Sequence, residues 1–359
     1  MRRGYLDWLR GLAVLIMIEA HVLDSWTRVE DRDAWLYGWS MIAGGFGAPL
    51  FLFLAGVSVA LSAGSKARRG GDARAASRAV TRRGFQIFLL AFLFRIQAMV
   101  VSWGPWRSLL KVDILNIMGP AIMAAAALWG ALKTTRGRAV AFAVATLGLA
   151  LLTPAVRVTG LLDVLPDPIE GYLRPRPAYT QFAAFPWAAF VFAGGLAGVL
   201  LDEARTPAVE RRLNLWFGLG GAALALGAFG ASYLPSPFPG SSFWTSSPSF
   251  FLLRTGLLVL IIGAAYMWHL RPRGGTAFSP LQQMGRTSLF IYWIHIELIY
   301  GLMVRPLHKS LTFEQAWLGV LLFALFMLIL SLLKERLVGH VTGLGAFWRP
   351  ESRKPKAVV

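Results

Sequence analysis

Residues 41–62 read MIAGGFGAPLFLFLAGVSVALS and contain no charged residue. A helix of about 20 apolar residues is long enough to cross the ~30 Å hydrocarbon core of a bilayer. The first charged side chains after this run belong to Lys66, Arg68 and Arg69, so the run ends at a basic loop. This stretch therefore predicts a transmembrane helix.

Similar apolar runs recur along the 359 residues. Apolar residues make up 56% of the chain and charged residues 15%, whereas soluble proteins carry about 25% charged residues. We predict an all-α polytopic membrane protein with a bundle of about ten transmembrane helices. The predicted spans are 6–26, 41–62, 84–103, 112–132, 138–156, 183–201, 213–233, 250–270, 285–304 and 314–334. The fifth is expected to end early, at Thr153, Pro154 and Arg157.

The basic residues predict the orientation of the bundle. Lysines and arginines are more than twice as frequent in alternate loops, which include both termini and residues 66–83, as in the remaining loops. The positive-inside rule therefore predicts that both termini are cytoplasmic. The same clustering between apolar runs argues against nucleic acid as a partner, despite a net charge of +18. We expect one transmembrane domain over residues 1–345 and a short basic cytoplasmic tail over 346–359.

Two predicted outer loops, residues 157–182 and 234–249, are rich in proline, serine and aromatic residues. Such segments are ordered by turns rather than by helix. One interpretation is that they form the walls of an outward-facing vestibule, with Trp244 against the acceptor. The alternative is plain connecting loops whose aromatic side chains anchor at the membrane interface.

The first predicted helix carries several polar side chains, and each charge in a membrane helix costs about 2.5–3.5 kcal/mol. Arg10 and His21 are eleven residues apart, so they share one helical face about 16 Å apart along the axis. Asp24 lies near the same stripe, and Glu19 lies on the opposite side. Histidine titrates near neutral pH and is a natural general base. We expect Arg10 to meet a donor from the cytoplasm and His21 to take a proton, the alternative being that His21 only packs helices together.

The ninth predicted helix carries a second polar set, in which Tyr292 and His295 share a face with Ser288. His295 can serve as a second acid or base, or as a donor that orients the acceptor. It can equally form a structural hydrogen bond to Tyr292 and a neighbouring helix.

Arg95 in the third predicted helix is expected to face the bundle interior. It can neutralise a donor phosphate or an oxyanion, or form a structural ion pair with Glu19 or Glu297. Asp113 and Asn116 share a face at the start of the fourth span, where they can contact an acceptor or cap the helix.

Arg82 and Arg83, at the mouth of the third span, are the best candidates to bind phosphate, because guanidinium groups bind phosphate as planar forks. Topology alone explains most of the other basic residues between Lys66 and Arg83. The chain has no cysteine, and its five histidines show no helical spacing typical of metal ligands, so no metal is expected.

Several segments together resemble a known family. The start LDWLRGLA over 6–13, followed by MIEAH over 17–21, resembles the opening of the transmembrane acyltransferase superfamily. Further matching pieces are 49–56, 113–119, 185–187 with 194–195, 244–250, and 285–295. The bacterial branch of the heparan-alpha-glucosaminide N-acetyltransferase catalytic-domain family is the most similar, and the acyltransferase-3 family is more distant. Its hallmark is an arginine, ten residues and a histidine, which Arg10 and His21 match.

This resemblance implies a multi-pass acyltransferase of the bacterial inner membrane. It implies acetyl-CoA or another acyl-CoA as the donor, a sugar or amino sugar of an exported glycan as the acceptor, a catalytic His21, and an Arg10 that supports the coenzyme. It also implies a homodimer as one assembly to test. Animal members carry a histidine in the first lumenal loop, whereas residues 27–40 here contain none. Direct transfer with His21 as the base is therefore the predicted route.

The alternative function is a secondary transporter, in which Arg95, Glu19 and Glu297 would form a proton or ion relay. The absence of a detectable pair of inverted repeats argues against it.

Overall fold

The structure is a computed structural model, and it describes residues 3–101, 105–238, 240–271 and 278–347, with side chains described as far as Val338. This part of the chain is all-α and contains no strand, which confirms the predicted fold class. Its helices are α1 Gly4–Trp26, α2 Trp35–Gly44, α3 Gly47–Gly70, α4 Ala73–Val101, α5 Ile114–Ala131, α6 Thr135–Val158, α7 Asp167–Leu173, α8 Ala184–Glu203, α9 Pro207–Ala231, α10 Pro248–His269, α11 Pro280–Arg286, α12 Ser288–Tyr300 and α13 Phe313–Phe347.

Eight described segments are long and apolar enough to cross a membrane: α2 with α3, then α4, α5, α6, α8, α9, α10 and α13. The other two predicted spans correspond to α1, which is 23 residues long but polar, and to the short apolar α12. The chain is thus a multi-pass membrane protein. The predicted tail begins inside α13, and residues 348–359 lie outside the described residues.

Two predicted span boundaries and the predicted character of one loop were wrong. The second span is preceded by a separate helix, α2, and the chain bends at Gly45 and Phe46 before α3. The ninth span is divided at Thr287 into α11 and α12, and a 3-10 segment, Leu302–Leu307, follows. The loop over 157–182 is not built from turns alone, since it contains a 3-10 turn and α7.

The fifth span was also predicted wrongly, because α6 continues through Pro154 to Val158. Proline lacks the N–H that would bond the carbonyl one turn earlier. The hydroxyl of Thr153 donates to the carbonyl of Leu149 at 2.7 Å, so side-chain bonding continues at this turn. The carbonyl left without its donor by Pro154 is that of Ala150, so this hydroxyl bond supports the neighbouring carbonyl instead of replacing the missing bond.

Helix α1 lies at the centre of the bundle, where Leu9, Ile18 and Val22 are fully buried. It packs against α3, α10, α11, α12 and α13. A Cβ on Gly11 would overlap the backbone of Leu281, and one on Gly285 would overlap the backbone of Asp7. These glycines let α1 and α11 touch backbone to backbone, and α12 follows directly from α11.

Polar contacts group the loops at two ends of the bundle. At the end we call the basic end, Arg3 pairs with Glu210 at 2.6 Å, and Arg68 pairs with Asp202 at 2.5 Å. At the opposite end, which we call the outer end, the amide of Arg28 donates to the carbonyl of Leu311 at 2.9 Å. The loops that meet at the basic end belong to the set rich in basic residues, and those that meet at the outer end belong to the other set, as the charge pattern predicts.

Candidate active site

A cavity of about 830 Å³, which we call the outer cavity, lies toward the outer end. Its polar side chains come from separate parts of the chain: His21 and Asp24 of α1, Arg95 of α4, Ser108 and Asp113 before α5, Gln181 before α8, and Tyr292, Glu297 and Tyr300 of α12. Met17, Phe94 and Trp187 supply apolar wall. The cavity is therefore an apolar chamber with a few convergent polar groups, which is the usual composition of a ligand site.

His21 is hydrogen-bonded to a second histidine. Its Nδ1 lies 3.1 Å from Nε2 of His295, and Nδ1 of His295 lies 2.9 Å from the carbonyl oxygen of Ile291. A carbonyl only accepts, so neutral His295 carries its proton on Nδ1 and accepts at Nε2. The hydrogen on His21 is then on Nδ1. Its Nε2 is left as a lone pair, with no hydrogen-bond partner among the described residues.

Asp113 holds the polar cluster across the cavity from α1. Its carboxylate accepts from the backbone N–H of Ile114, and its backbone N–H donates to Asn116, which forms a capping box at the start of α5. Arg95 lies 3.3 Å from the same carboxylate, and the Tyr292 hydroxyl donates to it at 3.3 Å. The carboxylate is thereby fixed on the wall of the cavity that His21 also lines.

A second cavity of about 630 Å³, which we call the basic cavity, lies toward the basic end. Arg10, Lys66, Arg82 and Arg83 line it. Arg10 donates to Ser58 at 2.7 Å and pairs with Asp7 at 2.5 Å. The deeper wall is apolar and includes Leu54, Val59, Met118 and Ile122. A cationic mouth above an apolar floor suits a ligand with phosphates at one end and a less polar arm.

The two cavities approach each other to within about one helical turn. On α12, Ser288 lines the basic cavity and Tyr292 the outer cavity, and four residues span about 6 Å. On α5, Met118 and Ile114 divide in the same way. The ring of Phe51 lines the basic cavity and stacks on Tyr292, with centroids 6.2 Å apart. One layer of aromatic side chains thus separates the cavities.

Most candidate site residues predicted from the sequence line one of these two cavities. His21, Asp24, Arg95, Asp113 and Tyr292 line the outer cavity, and Arg10, Arg82 and Arg83 line the basic cavity. Arg95 pairs with Asp113 rather than with Glu19 or Glu297.

His295 and Asn116 line neither of these cavities. His295 is fully buried behind His21, and Asn116 caps α5 and contacts the Tyr172 hydroxyl at 3.2 Å. Trp244 lies in a third cavity, beside Arg157 and Arg254.

Sequence reasoning missed Tyr300 and Ser58. The Tyr300 hydroxyl donates to Asp24 at 2.9 Å at the outer cavity, and Ser58 accepts from Arg10. Tyrosines near span ends are common as interfacial anchors, so Tyr300 carried no distinguishing signal. The polar Ser58 inside an apolar run was the available signal for the second residue.

Among the described residues, no group of three or more His, Asp or Glu side chains is placed to hold a metal ion. The fold and the two cavities define a polytopic helical membrane protein with two adjacent cavities among its helices, each lined by apolar and polar side chains. Residues 2–226 match the family described as heparan-alpha-glucosaminide N-acetyltransferase, catalytic, and the chain belongs to this family. A search of curated proteins found no match.

Family membership implies acetyltransferase activity, and acetyltransferases of this kind use acetyl-CoA as the donor. The matched segment includes Arg10, His21 and Asp113 and ends within α9. Tyr292 and His295 lie beyond it.

Proposed function

We propose that the protein transfers an acetyl group from cytoplasmic acetyl-CoA to an amino or hydroxyl group of an extracytoplasmic sugar, with His21 as the general base. The observation that carries this proposal is the unpartnered Nε2 of His21 on the wall of a cavity one helical turn from a basic cavity. The family match supports the acetyltransferase class.

The basic cavity is the proposed entrance for the donor. Arg82 and Arg83 bind its phosphates at the mouth, and Arg10, held by Asp7 and Ser58, lies deeper. Guanidinium groups suit phosphate because they bind two oxygens at once. The donor supplies an activated thioester, whose arm passes the Phe51 layer to reach the outer cavity.

The proposed reaction takes place beside His21. The acceptor's nitrogen or oxygen forms a bond to the acetyl carbonyl carbon, and the carbon–sulfur bond breaks. Nε2 of His21 takes the proton from the attacking group and then passes it to the departing sulfur, which leaves as a thiol. The carboxylates of Asp113 and Asp24 line the same cavity and stabilise the transient imidazolium by opposite charge.

His295 acts on this reaction through His21, as a positioning residue. Because its Nδ1–H is held by the Ile291 carbonyl, its Nε2 presents a lone pair to the Nδ1–H of His21. This contact favours the tautomer in which Nε2 of His21 is basic.

The arrangement gives less support to a transporter. In that alternative Arg95 would join a relay with Glu19 and Glu297, whereas Arg95 pairs with Asp113 and bonds Gln181 at 3.1 Å. Glu19 is buried close to Gly44 of α2, away from Arg95 in the contacts of the described residues.

The proposal is tested with purified protein and radiolabelled acetyl-CoA, against a panel of amino sugars and neutral sugars that includes glucosamine. We expect His21→Ala to lower the rate of acetyl transfer by about 100-fold to 10,000-fold, because positioned proton transfer is worth that much. Coenzyme A binding, measured by equilibrium dialysis, should be retained.

His269→Ala is the matched control, because His269 is exposed near the end of α10 and lines neither the outer nor the basic cavity. It should keep the parental rate. A His21→Ala protein that transfers acetyl groups at the parental rate would rule out His21 as the base.

A further inference from the structure

A third cavity, of about 340 Å³, lies at the outer end, and we call it the side cavity. Its walls come from the ends and starts of separate elements: Arg157 of α6, Trp187 of α8, Trp244 of the loop before α10, and Phe250 and Arg254 of α10. Gln181 and Trp187 also line the outer cavity, so the two cavities adjoin.

The two arginines of the side cavity lack partners. Among the described residues, neither guanidinium has a hydrogen bond or an ion pair, and the Nε atom of each is buried and unsatisfied. No Asp or Glu lines the described part of the cavity. Arg254 instead lies over the Phe250 ring, 4.0 Å from its centroid.

This arrangement is unfavourable unless an anion joins it. Each guanidinium carries a permanent charge, and each buried donor without a partner adds a desolvation penalty. Arg254 is inside a spanning helix, where a charge needs a specific reason. Elsewhere in the described chain, Arg95, Arg68 and Arg174 each have a carboxylate partner.

Two helices begin at the same place. The residues just before and at the start of α8 line the side cavity, and so do Ser247, the N-cap of α10, and Phe250 in its first turn. Helix N-termini carry partial positive charge and attract anions. Their fields add to those of the two guanidinium groups, which bind carboxylate, phosphate or sulfate oxygens in pairs.

We propose that the side cavity binds an oxyanion, through Arg157 and Arg254. Because it adjoins the outer cavity across Gln181 and Trp187, an acceptor with its reacting group beside His21 can place a carboxylate, phosphate or sulfate there. This reading of the acceptor as an anionic molecule rests on the proposed function. A phospholipid phosphate is the other source of the same chemistry.

The test uses inorganic phosphate as the probe and needs no acyl donor. Thermal unfolding of the purified protein in neutral detergent is followed over a phosphate titration, with the double variant Arg157→Gln/Arg254→Gln and the control Arg305→Gln. Arg305 is an exposed arginine at the same end and lies outside the side cavity. Phosphate bound at the basic cavity contributes equally to all three proteins.

We expect the double variant to need a phosphate concentration at least about tenfold higher for the same stabilisation. Hydrogen bonds to charged groups are strong, so losing them weakens phosphate binding. Without phosphate it should be at least as stable as the parent, since two buried guanidinium donors without partners are gone. Arg305→Gln should match the parent. The single variant Arg157→Gln provides the same comparison if the double variant does not fold.

The proposal is overturned if the double variant and the parent respond equally to phosphate. A variant that is destabilised without phosphate and yet keeps the parental response would show a structural role instead. Repeating the titration in nanodiscs separates the sources: competition by phosphatidylglycerol, relative to phosphatidylcholine, assigns the site to lipid, and its absence assigns the site to a soluble anion. Retained phosphate binding with failed acetyl transfer would refute the proposed function alone.

Discussion

The position of the proton on the His21 ring is determined by His295, which lies behind it. A chain of hydrogen bonds runs from the Ile291 carbonyl through both nitrogens of His295 to Nδ1 of His21. Each link determines the proton position of the next, so the backbone of α12 selects the basic nitrogen on α1. The proposed base therefore depends on two helices together.

This series of hydrogen bonds predicts different outcomes for two substitutions of His295. His295→Leu leaves the Nδ1–H of His21 without an acceptor, so we expect kcat to fall about 10-fold to 100-fold. The KM for acetyl-CoA should change little, because His295 does not line the basic cavity. Steady-state kinetics over a range of pH values measures both.

His295→Gln is the matched variant, because its amide oxygen can accept from His21. It should recover most of the lost kcat and leave the pH profile close to the parental one. Equal losses in the Leu and Gln variants would mean that His295 fills space without orienting His21.

At this scale the sequence predicted positions on one helix better than contacts between helices. Helical periodicity alone placed Arg10 and His21 on one face, and they line two neighbouring cavities of the interior. The contact between His21 and His295 depends on how α11 positions α12 against α1, and residue spacing does not encode it. For the same reason Arg95 was assigned no partner at Asp113.

Among the helices, α3 and α8 pack with their backbones in close contact. A Cβ on Gly56 would overlap the carbonyl of Val191, and one on Gly194 would overlap the carbonyl of Phe53. Small residues allow such backbone contact, which stabilises membrane helix pairs through van der Waals packing. Phe51, on the wall between the cavities, lies on α3 just before this crossing.

We expect Gly56→Ala to lower the free energy of unfolding by about 1–3 kcal/mol, because α3 and α8 must move apart. Thermal unfolding in detergent measures the change. Gly218→Ala on α9 is the control, because no atom lies within 4 Å of the added methyl group, and it should be neutral or slightly stabilising. A neutral Gly56→Ala would contradict the tight crossing.

Element boundaries depended on tertiary context that residue patterns do not carry. Pro154 was expected to end the fifth span, but α6 continues and Thr153 bonds back to Leu149. The apolar ninth span was expected to be continuous, yet it is divided at Thr287, where α11 meets α1 through Gly285. The long apolar runs located the eight segments that are long and apolar enough to cross a bilayer, because length and hydropathy decide this property.

For the whole molecule, the basic cavity and the outer cavity lie at opposite ends and are separated by Phe51 and Tyr292. The charge asymmetry predicts that the basic end faces the cytoplasm. An arrangement of this kind allows a cytoplasmic donor and an outer acceptor to meet without either molecule crossing the membrane.

Because Phe51 lies between the two cavities, a larger side chain at this position should block the arm of the acyl donor. Phe51→Trp should lower kcat strongly and leave the dissociation constant of coenzyme A nearly unchanged, because the proposed phosphate contacts at Arg82 and Arg83 would remain. Phe51→Leu, which is smaller, should keep transfer activity. Kinetics paired with equilibrium dialysis makes the comparison, and a Phe51→Trp protein with parental kcat would place the route elsewhere.

The most direct measurement is an experimental structure of the protein with coenzyme A bound. The account predicts phosphates against Arg82 and Arg83, an arm that passes Arg10 and Phe51, and a thiol sulfur in the outer cavity beside His21. A thiol that ends on the Arg10 side of Phe51, or a coenzyme bound outside the basic cavity, would contradict transfer at His21.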